Sequence, residues 1–225
     1  MVPRIARIAT AVCFALPTGL LAWQDYGPFV WAHLFALRRP AASPAPVPAP
    51  RPRPAWATPV NAPPLTNVYR VTQDLYRGAQ PGAAGMRRLK AMGVRTVVNL
   101  RRLHSDADEA AGTGLDIVHV RVNPFHPTEA QVVAFLRVVA DPGRGPFYVH
   151  CQRGIDRTGM MCAAYRMVAC GWAKADAVDE MTNGPFGYDH VFRNVPQFLR
   201  RLDVERLRAE VMRGARPATR PRPGP

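Results

Sequence analysis

A cysteine and an arginine six positions apart, Cys151 and Arg157, form the pair with the clearest chemical potential in the sequence. An apolar run, residues 147–150, leads into the cysteine; Gly154 lies midway along the loop, and Thr158 follows the arginine. A strand–loop–helix turn of this length points backbone N–H groups towards its centre, beside a helix N-terminus, and such a nest binds anions. The pattern therefore predicts a phosphate-binding loop.

Each reactive side chain has a distinct expected role in that loop. The inward dipoles should lower the pKa of Cys151, so that it reacts as a thiolate nucleophile. The planar guanidinium of Arg157 can hold two phosphate oxygens, and Thr158 can donate its hydroxyl to the sulfur. His150 should orient the loop by hydrogen bonds. The residues expected to surround bound phosphate are Gln152, Arg153, Gly154, Ile155, Asp156 and Arg157.

The run His150-Cys151-x-x-Gly154-x-x-Arg157-Thr158-Gly159 resembles the signature loop of cysteine-dependent protein tyrosine phosphatases, above all the small dual-specificity-like branch of bacteria. Residues 75–81 and 94–101 resemble the entry strand and the first core strand of that branch, and the resemblance extends over roughly residues 68–200. It implies a single α/β phosphatase domain, a phosphocysteine intermediate, and neither a metal nor another cofactor.

The sequence departs from this family at the general acid, the group that protonates the leaving oxygen. The loop that usually supplies an aspartate, residues 123–129, contains none. Asp116 lies at the opposite end of the preceding strand. His126 and Glu129 are the substitutes within that loop, as tentative catalytic residues. Asp156 lies inside the signature loop, where repulsion from a phosphate dianion should turn it outward.

Alternating strands and helices must position these residues. The sequence predicts strands over residues 68–71, 75–77, 96–100, 117–122 and 147–150, and helices over 81–92, 128–139, 158–170, 174–181 and 196–212. The expected fold is α/β and phosphatase-like, with a mostly parallel central sheet flanked by helices. Arg101, His104 and Asp106 follow a predicted strand, at the rim where such sheets bind ligands, and His104 is expected to be a solvated loop residue.

Composition divides the chain of 225 residues into four parts. We expect a signal peptide or membrane anchor over residues 1–39, a proline-rich linker over 40–65, the phosphatase domain over 66–212, and a disordered basic tail over 213–225. The net charge of +14 first suggests nucleic acid. Most of that charge lies in the flanks, so no nucleic-acid partner is predicted. Four cysteines are too few for a disulfide-built miniprotein.

The N-terminal segment has the charge pattern of an export signal. Arg4 and Arg7 precede an uncharged run over residues 8–23. This polarity predicts an inner-membrane anchor with the domain outside the cytoplasm, or a periplasmic or secreted protein if the segment is cleaved. We expect a monomer that contacts the membrane through this segment.

The expected function is hydrolysis of phosphotyrosine in proteins, with phosphoserine and phosphothreonine as further substrates. A phosphatase for inositol phosphates or other small phosphate esters is the nearest alternative, although Ile155 and Asp156 argue against a heavily phosphorylated ligand. A sulfurtransferase would also use a loop cysteine, but the Arg157–Thr158 pair fits phosphate better. The alternative from another class is a non-catalytic phosphate-binding module, which the absent aspartate motivates.

Overall fold

A computed structural model describes residues 54–214. The segment predicted over residues 1–39, residues 40–53 of the predicted linker and residues 215–225 of the tail predicted over 213–225 lie outside the described residues. A six-stranded mixed sheet forms the centre of the described part. Its strands, in spatial order, are β1 (Thr58–Pro59), β2 (Tyr69–Arg70), β3 (Leu75–Gly78), β6 (Phe147–His150), β4 (Thr96–Asn99) and β5 (Asp116–His119). The four strands from β3 to β5 are parallel, and β1 and β2 pair antiparallel at the edge.

The register of the parallel strands determines where the reactive cysteine lies. Gly78 and Asn99, the last residues of β3 and β4, both pair with His150 at the end of β6. All four residues of β4 and all four of β6 are buried, because the sheet is covered on both faces. Cys151 therefore emerges at the carboxyl edge of the two central strands, where open α/β sheets bind ligands.

Helices cover both faces of the sheet. In chain order they are α1 (Ala83–Ala91), α2 (Ala107–Ala110), α3 (Glu129–Val139), α4 (Asp156–Val168), α5 (Lys174–Asn183), a 3₁₀ turn (His190–Phe192), α6 (Asn194–Arg201) and α7 (Val204–Gly214). Val97 and Tyr148 pack with α1 and α2 in a smaller core, whereas Val98 and Val149 face the larger core on the other side. This alternation along β4 and β6 is the period-two pattern of strands.

Helix α4 is the central helix of the larger core. It contacts α3, α5, α6 and α7 as well as β3 and β6, and it is buried along most of its length. Met160, Met161 and Met167 are fully or almost fully buried in it. The first turn of this rigid helix follows directly on the loop that begins at Cys151.

The structure differs from the sequence-based expectation at the C-terminal helix. The single helix predicted over residues 196–212 is two helices, because Leu202 is extended with a ψ of 134° and almost fully buried. Asp203 then caps the start of α7, since its side chain accepts a hydrogen bond from the backbone N–H of Arg206 at 3.0 Å.

The folded part also begins earlier than the composition suggests. Strand β1 lies within the stretch predicted to be a linker, where it pairs with β2. Next to it, the backbone N–H of Ala57 donates to the buried carboxylate of Glu180 at 2.7 Å. Within residues 54–214, no helix is both long and apolar enough to cross a membrane.

Candidate active site

The loop over residues 151–155 is held by donors that lie outside it. Each of its five carbonyl groups accepts a hydrogen bond: Cys151 from His150 Nδ1 (3.0 Å), Gln152 from the Gln80 N–H (3.1 Å), Arg153 from Asn67 Nδ2 (3.0 Å), and Gly154 and Ile155 from Arg77 Nη2 (2.8 and 3.4 Å). Because the carbonyl groups are engaged on the outside, the N–H groups are free to face inward. The backbone N–H groups of Ile155 and Thr158 do approach the Cys151 sulfur. At least two backbone N–H groups thus converge on the sulfur, which is the arrangement of an anion nest.

Gly154 is required at the centre of this loop. Its φ is +74°, in the left-handed region that favours glycine. A Cβ atom at this position would lie 2.3 Å from the carbonyl carbon and oxygen of Gly78 and 2.6 Å from the backbone nitrogen of Ala79. Since those atoms are backbone, no rotamer change relieves the contact, and the loop can approach β3 this closely only without a side chain.

The electrostatic surroundings of Cys151 favour the thiolate. Burial, the largest effect, would raise the pKa of the thiol. The hydroxyl of Thr158, the guanidinium of Arg157, and the backbone N–H groups of Thr158 and Ile155 together outweigh burial, so the pKa of Cys151 lies below that of an ordinary cysteine. Thr158 Oγ1 is buried and has no other hydrogen-bond partner in the described part of the chain, so it is available to the sulfur.

Five of the sequence-predicted residues line one cavity of about 180 Å³. They are Cys151, Gln152, Arg153, Asp156 and Arg157, and the cavity is completed by Pro124 and Phe192. The other predicted loop residues contribute differently. Gly154 and Ile155 shape the backbone, and Thr158 lies beneath the floor with no exposed surface. The cavity thus combines a thiolate, a guanidinium and an apolar wall.

Asp156 does not point outward as expected. Its residue is 6% exposed, its Oδ1 accepts from the N–H of Asp189 at 3.0 Å, and its Oδ2 lies 3.4 Å from Arg153 Nη2. Helix α4 begins at this residue, so its side chain is directed by the helix rather than by repulsion from a ligand. Burial raises the pKa of Asp156 above the usual aspartate range, although the Asp189 N–H and Arg153 act against it.

The two acid candidates from the loop before α3 lie outside the lining of this cavity. Glu129 forms an ion pair with Arg206 of α7. His126 is exposed within a turn. That turn is tied to α6, because Asn194 Nδ2 donates to the carbonyl groups of Pro124 and Phe125 at 2.8 and 3.2 Å.

Asp116 lies at the start of β5, at the opposite edge of the sheet, as the sequence predicts. There it pairs with Arg144 instead of facing the loop.

A buried pair beneath the loop supports its first residue. His150 Nε2 lies 2.7 Å from Asp106 Oδ2, and both side chains have no exposed surface. Because the carbonyl of Cys151 can only accept, His150 Nδ1 must donate to it. His150 thus orients the loop as predicted, whereas Asp106 is a buried partner of that histidine and not a rim residue.

The sequence-based reasoning missed Asn67 and Arg77 as supports of the loop. Arg77 is 1% exposed, and its guanidinium stacks on Phe186 with Cζ 3.7 Å from the ring centroid. Burial lowers its pKa, while the neighbouring acidic groups oppose that effect. One signal was present: strand alternation places Arg77 on the same face as Leu75, and an arginine on a buried face needs acceptors.

Comparison with known proteins agrees with this geometry. The family model described as "DSP-PTPase phosphatase fused to NAD+ Kinase" matches residues 66–188. The dual specificity protein phosphatase TpbA of Pseudomonas aeruginosa strain PAO1 is 36% identical over 164 residues, which cover 71% of this chain and 72% of TpbA. The crystal structure of TpbA superposes with a TM-score of 0.64 at 33% identity, covering 71% of this chain and 98% of that one.

Two further structures extend the comparison. A cysteine-to-serine variant of P. aeruginosa TpbA in complex with phosphotyrosine gives the same TM-score, at 32% identity over 71% of this chain and 97% of that one. The core of the PP-IP phosphatase Siw14 of S. cerevisiae gives a TM-score of 0.59 at 18% identity, over 68% of this chain and 96% of that one, and so shares the fold. The chain belongs to the dual-specificity-type (DSP-PTPase) family of cysteine-dependent phosphatases, and it is a phosphatase.

Proposed function

We propose that this phosphatase hydrolyses phosphotyrosine in proteins through a phosphocysteine intermediate on Cys151, with phosphoserine and phosphothreonine as slower substrates. One observation carries the proposal: a cysteine with a lowered pKa and the fork of Arg157 line the same small cavity. The nest of N–H groups around the sulfur adds the donors that a phosphate dianion requires.

The walls of the cavity support an aromatic substrate. Pro124 and Phe192 line it, and the exposed ring of Phe125 lies 5.1 Å from that of Phe192, centroid to centroid. These apolar groups can pack against the ring of a phosphotyrosine while the phosphate reaches Cys151. The phosphotyrosine bound to the TpbA variant supports the same substrate class here, because that relative shares the fold and a third of the sequence.

In the first chemical step, the Cys151 thiolate attacks phosphorus in line with the leaving oxygen. A sulfur–phosphorus bond forms, and the bond from phosphorus to the leaving oxygen breaks. The loop N–H groups and Arg157 hold the three equatorial oxygens, whose negative charge the transition state retains. Because these donors are fixed by the fold, they need no reorganisation during the reaction.

We propose Asp156 as the general acid of this step. It is the carboxylic acid in the lining of the cavity that contains Cys151, and its raised pKa favours the protonated form that can donate. A bound phosphate dianion would favour that form further, since a second negative charge nearby is repelled. The Asp189 N–H fixes the position of one carboxyl oxygen and leaves the other beside Arg153.

The second step hydrolyses the intermediate. Water attacks phosphorus, the sulfur–phosphorus bond breaks, and Asp156, now a carboxylate, accepts the proton from water. The thiolate of Cys151 leaves, and the hydroxyl of Thr158 donates to it. This role fits the absence of any other hydrogen-bond partner of Thr158 Oγ1 among the described residues.

Small phosphate esters are the second candidate substrates. A wider cavity of about 560 Å³ lies beside the first, with Arg153 and Arg193 in its lining, and these cations favour further phosphate groups. Asp189 opposes such a ligand, because it lies in the same cavity and already pairs with Arg153 at 3.2 Å. This balance favours a peptide with few additional phosphates.

A phosphate-release assay of the full chain tests the function. We expect phosphotyrosine peptides to be hydrolysed faster than phosphoserine peptides, and both faster than inositol phosphates. Cys151→Ser should lose turnover but retain binding of the phosphotyrosine peptide. Faster release from inositol phosphates would favour the second candidate. Binding without turnover in the unmodified chain would identify a non-catalytic phosphate-binding module.

The dependence of the rate on the leaving group of the substrate identifies the general acid. With phosphotyrosine, Asp156→Asn should lower kcat about 10²- to 10⁴-fold, because the poor leaving oxygen needs a proton. With dinitrophenyl phosphate, whose oxygen leaves unprotonated, the loss should be far smaller. His126→Ala and Glu129→Gln are the matched variants. A leaving-group-dependent loss in one of them, and not in Asp156→Asn, would transfer the role to that residue.

We also propose that the domain acts outside the cytoplasm, tethered through residues 1–39. The support is the charge pattern of the sequence, with Arg4 and Arg7 before the apolar run. Fractionation of cells that produce the full chain, followed by external protease treatment of spheroplasts, tests the proposal. Protection of the domain in intact spheroplasts would contradict it.

A further inference from the structure

A second group of chemically active side chains lies outside the cavity of Cys151. His104 Nε2 is 3.2 Å from Glu109 Oε1 and 3.6 Å from Asp106 Oδ1, and these three ligand atoms all lie within 4.8 Å of one another. All three follow β4: His104 and Asp106 lie on the loop that leads into α2, and Glu109 lies in α2 itself. The phosphatase chemistry proposed above uses none of these three atoms.

The buried carboxylate of Asp106 is only half satisfied by the protein. Its side chain has no exposed surface, and Oδ2 is engaged by His150. Oδ1 is buried and has no hydrogen-bond partner in the described part of the chain. A buried carboxylate oxygen without a donor or cation lowers the stability of the folded state. Since Oδ1 also faces a histidine nitrogen, its unsatisfied state indicates that a ligand binds between them.

The hydrogen bonds around His104 identify its Nε2 as an acceptor. The guanidinium of Arg101 can only donate hydrogen bonds, and it contacts Gln80 Oε1. This contact fixes the orientation of the Gln80 amide, with its oxygen towards Arg101. Gln80 Nε2, a donor, then contacts His104 Nε2. An Nε2 that accepts has no proton to give to the two carboxylates. Three electron-pair donors thus converge, as in a metal site.

We propose that His104, Asp106 and Glu109 bind one divalent first-row metal ion, with Zn²⁺ as the representative. Imidazole and carboxylate are ligands that such ions accept, and with bonds of about 2.0–2.1 Å a tetrahedral site has ligand separations of about 3.3 Å. The two separations from His104 Nε2, 3.2 and 3.6 Å, match that edge, and the two carboxylate oxygens lie within 4.8 Å of each other. Gln80 moves aside from Nε2 when the ion binds, and water completes the coordination.

The ion is structural and takes no part in phosphoryl transfer. It joins the segment after β4 to the base of the nucleophile loop, because Asp106 bridges the ion and His150, and His150 donates to the Cys151 carbonyl. The backbone of the site is already fixed, since Asn99 Nδ2 donates to the carbonyl of His104 at 2.9 Å. The ion therefore stabilises the folded state more than it changes the chemistry.

Calorimetric titration and thermal melting of the full, tag-free chain test the site. The Cys151→Ser form is used after removal of metals, so that the active-site thiolate cannot bind the probe. We expect one equivalent of Zn²⁺ or Mn²⁺ to bind per chain. At 100 times its dissociation constant, the ion should raise Tm by about 5–10 °C.

Variants assign the ligands without disturbing the core. The side chains of His104 and Glu109 are both partly exposed, so their substitution should leave the core intact. His104→Ala and Glu109→Gln should each weaken metal binding at least 10-fold and remove the Tm shift. Asp108→Asn is the matched control, because this acid lies on the same short helix but is exposed and outside the cluster. It should bind the ion normally.

Three results would overturn the proposal. One is that neither Zn²⁺ nor Mn²⁺ binds saturably at 1 mM. A second is that the ion binds equally well to His104→Ala and Glu109→Gln. If Glu109→Gln also lowered Tm in EDTA, the cluster would be an ion-pair network around a protonated His104, and the metal site would be refuted on that ground too.

Discussion

Replacing Thr158 by valine should weaken the Cys151 thiolate while leaving the fold intact. Thr158 has no exposed surface and its Oγ1 has no hydrogen-bond partner among the described residues, while its hydroxyl is one of the groups that lower the pKa of Cys151. Valine has nearly the same shape and removes only the hydroxyl. No other polar group therefore loses a partner, and the effect of the substitution is confined to the nucleophile.

The size of the effect follows from the interaction removed. Among the contacts that stabilise the thiolate, the hydroxyl of Thr158 is the strongest, ahead of Arg157 and the backbone N–H groups. A hydrogen bond to a charged group contributes about 1.5–3 kcal/mol. Since 1.4 kcal/mol is a factor of ten in an equilibrium constant, the thiolate population at mildly acidic pH should fall about 10- to 100-fold.

The rate of alkylation by iodoacetamide, followed by mass spectrometry on the peptide that contains Cys151, measures this population. Only the thiolate reacts, and the pKa of Cys151 is lowered, so the wild type should stay reactive as the pH falls below the range of ordinary cysteine. As the pH is lowered, Thr158→Val should lose its reactivity at a higher pH than the wild type does. Burial raises the pKa of Cys162 to about 11, so that thiol should stay unreactive.

Thr158→Ser is the matched control, because it keeps the hydroxyl and should react nearly as the wild type does. Equal alkylation rates for Thr158→Val and the wild type between pH 5 and 8 would refute the reasoning. The thiolate would then be stabilised by Arg157 and the backbone alone.

Two other substitutions test the scaffold. Gly154→Ala should lower Tm and abolish turnover, because its Cβ would lie 2.3 Å from the carbonyl of Gly78; unchanged kcat would contradict the tight approach of loop and strand. The buried guanidinium of Arg166 lies 2.9 Å from the carboxylate of Glu180. Glu180→Gln removes this counter-charge and should lower the free energy of unfolding, measured in urea, by about 3–5 kcal/mol. The exposed Glu210→Gln is its control and should cost less than about 1 kcal/mol; similar losses in both would contradict the burial argument.

Much of the site could be predicted because its signals are local. The apolar run before Cys151, the glycine at residue 154 and the arginine at residue 157 lie within eleven residues, so strand, loop and helix follow from one short segment. The structure confirms the strand, the central glycine and the convergence of Cys151 with Arg157 in one cavity.

The supports of the loop could not be predicted in the same way, because they are distant in sequence. Asn67 and Arg77 precede the loop by more than seventy residues. Arg77 reaches it through the pairing of β3 with β6, and Asn67 lies just before β2, which pairs with β3. The break at Leu202 was missed for a related reason: the helical spacing continues across it, and burial of Leu202 between α6 and α7 decides the conformation.

Asp156 shows the limit of an argument from charge alone. Repulsion from a dianion predicts an outward carboxylate, but the first turn of α4 and the N–H of Asp189 hold it inside. The helix is packed on all sides, so it determines the direction of this side chain.

The outward-facing carbonyl groups of the nucleophile loop have a consequence for protein engineering. Because Asn67, Arg77 and His150 hold the loop by its backbone, its shape does not depend on the side chains of Gln152 and Arg153. A combinatorial library at residues 152 and 153 can therefore vary the surroundings of the phosphate without dismantling the anion nest. Variation at residue 152 should therefore change substrate preference alone, whereas variation at residue 153 also changes the charge beside the carboxylate of Asp156.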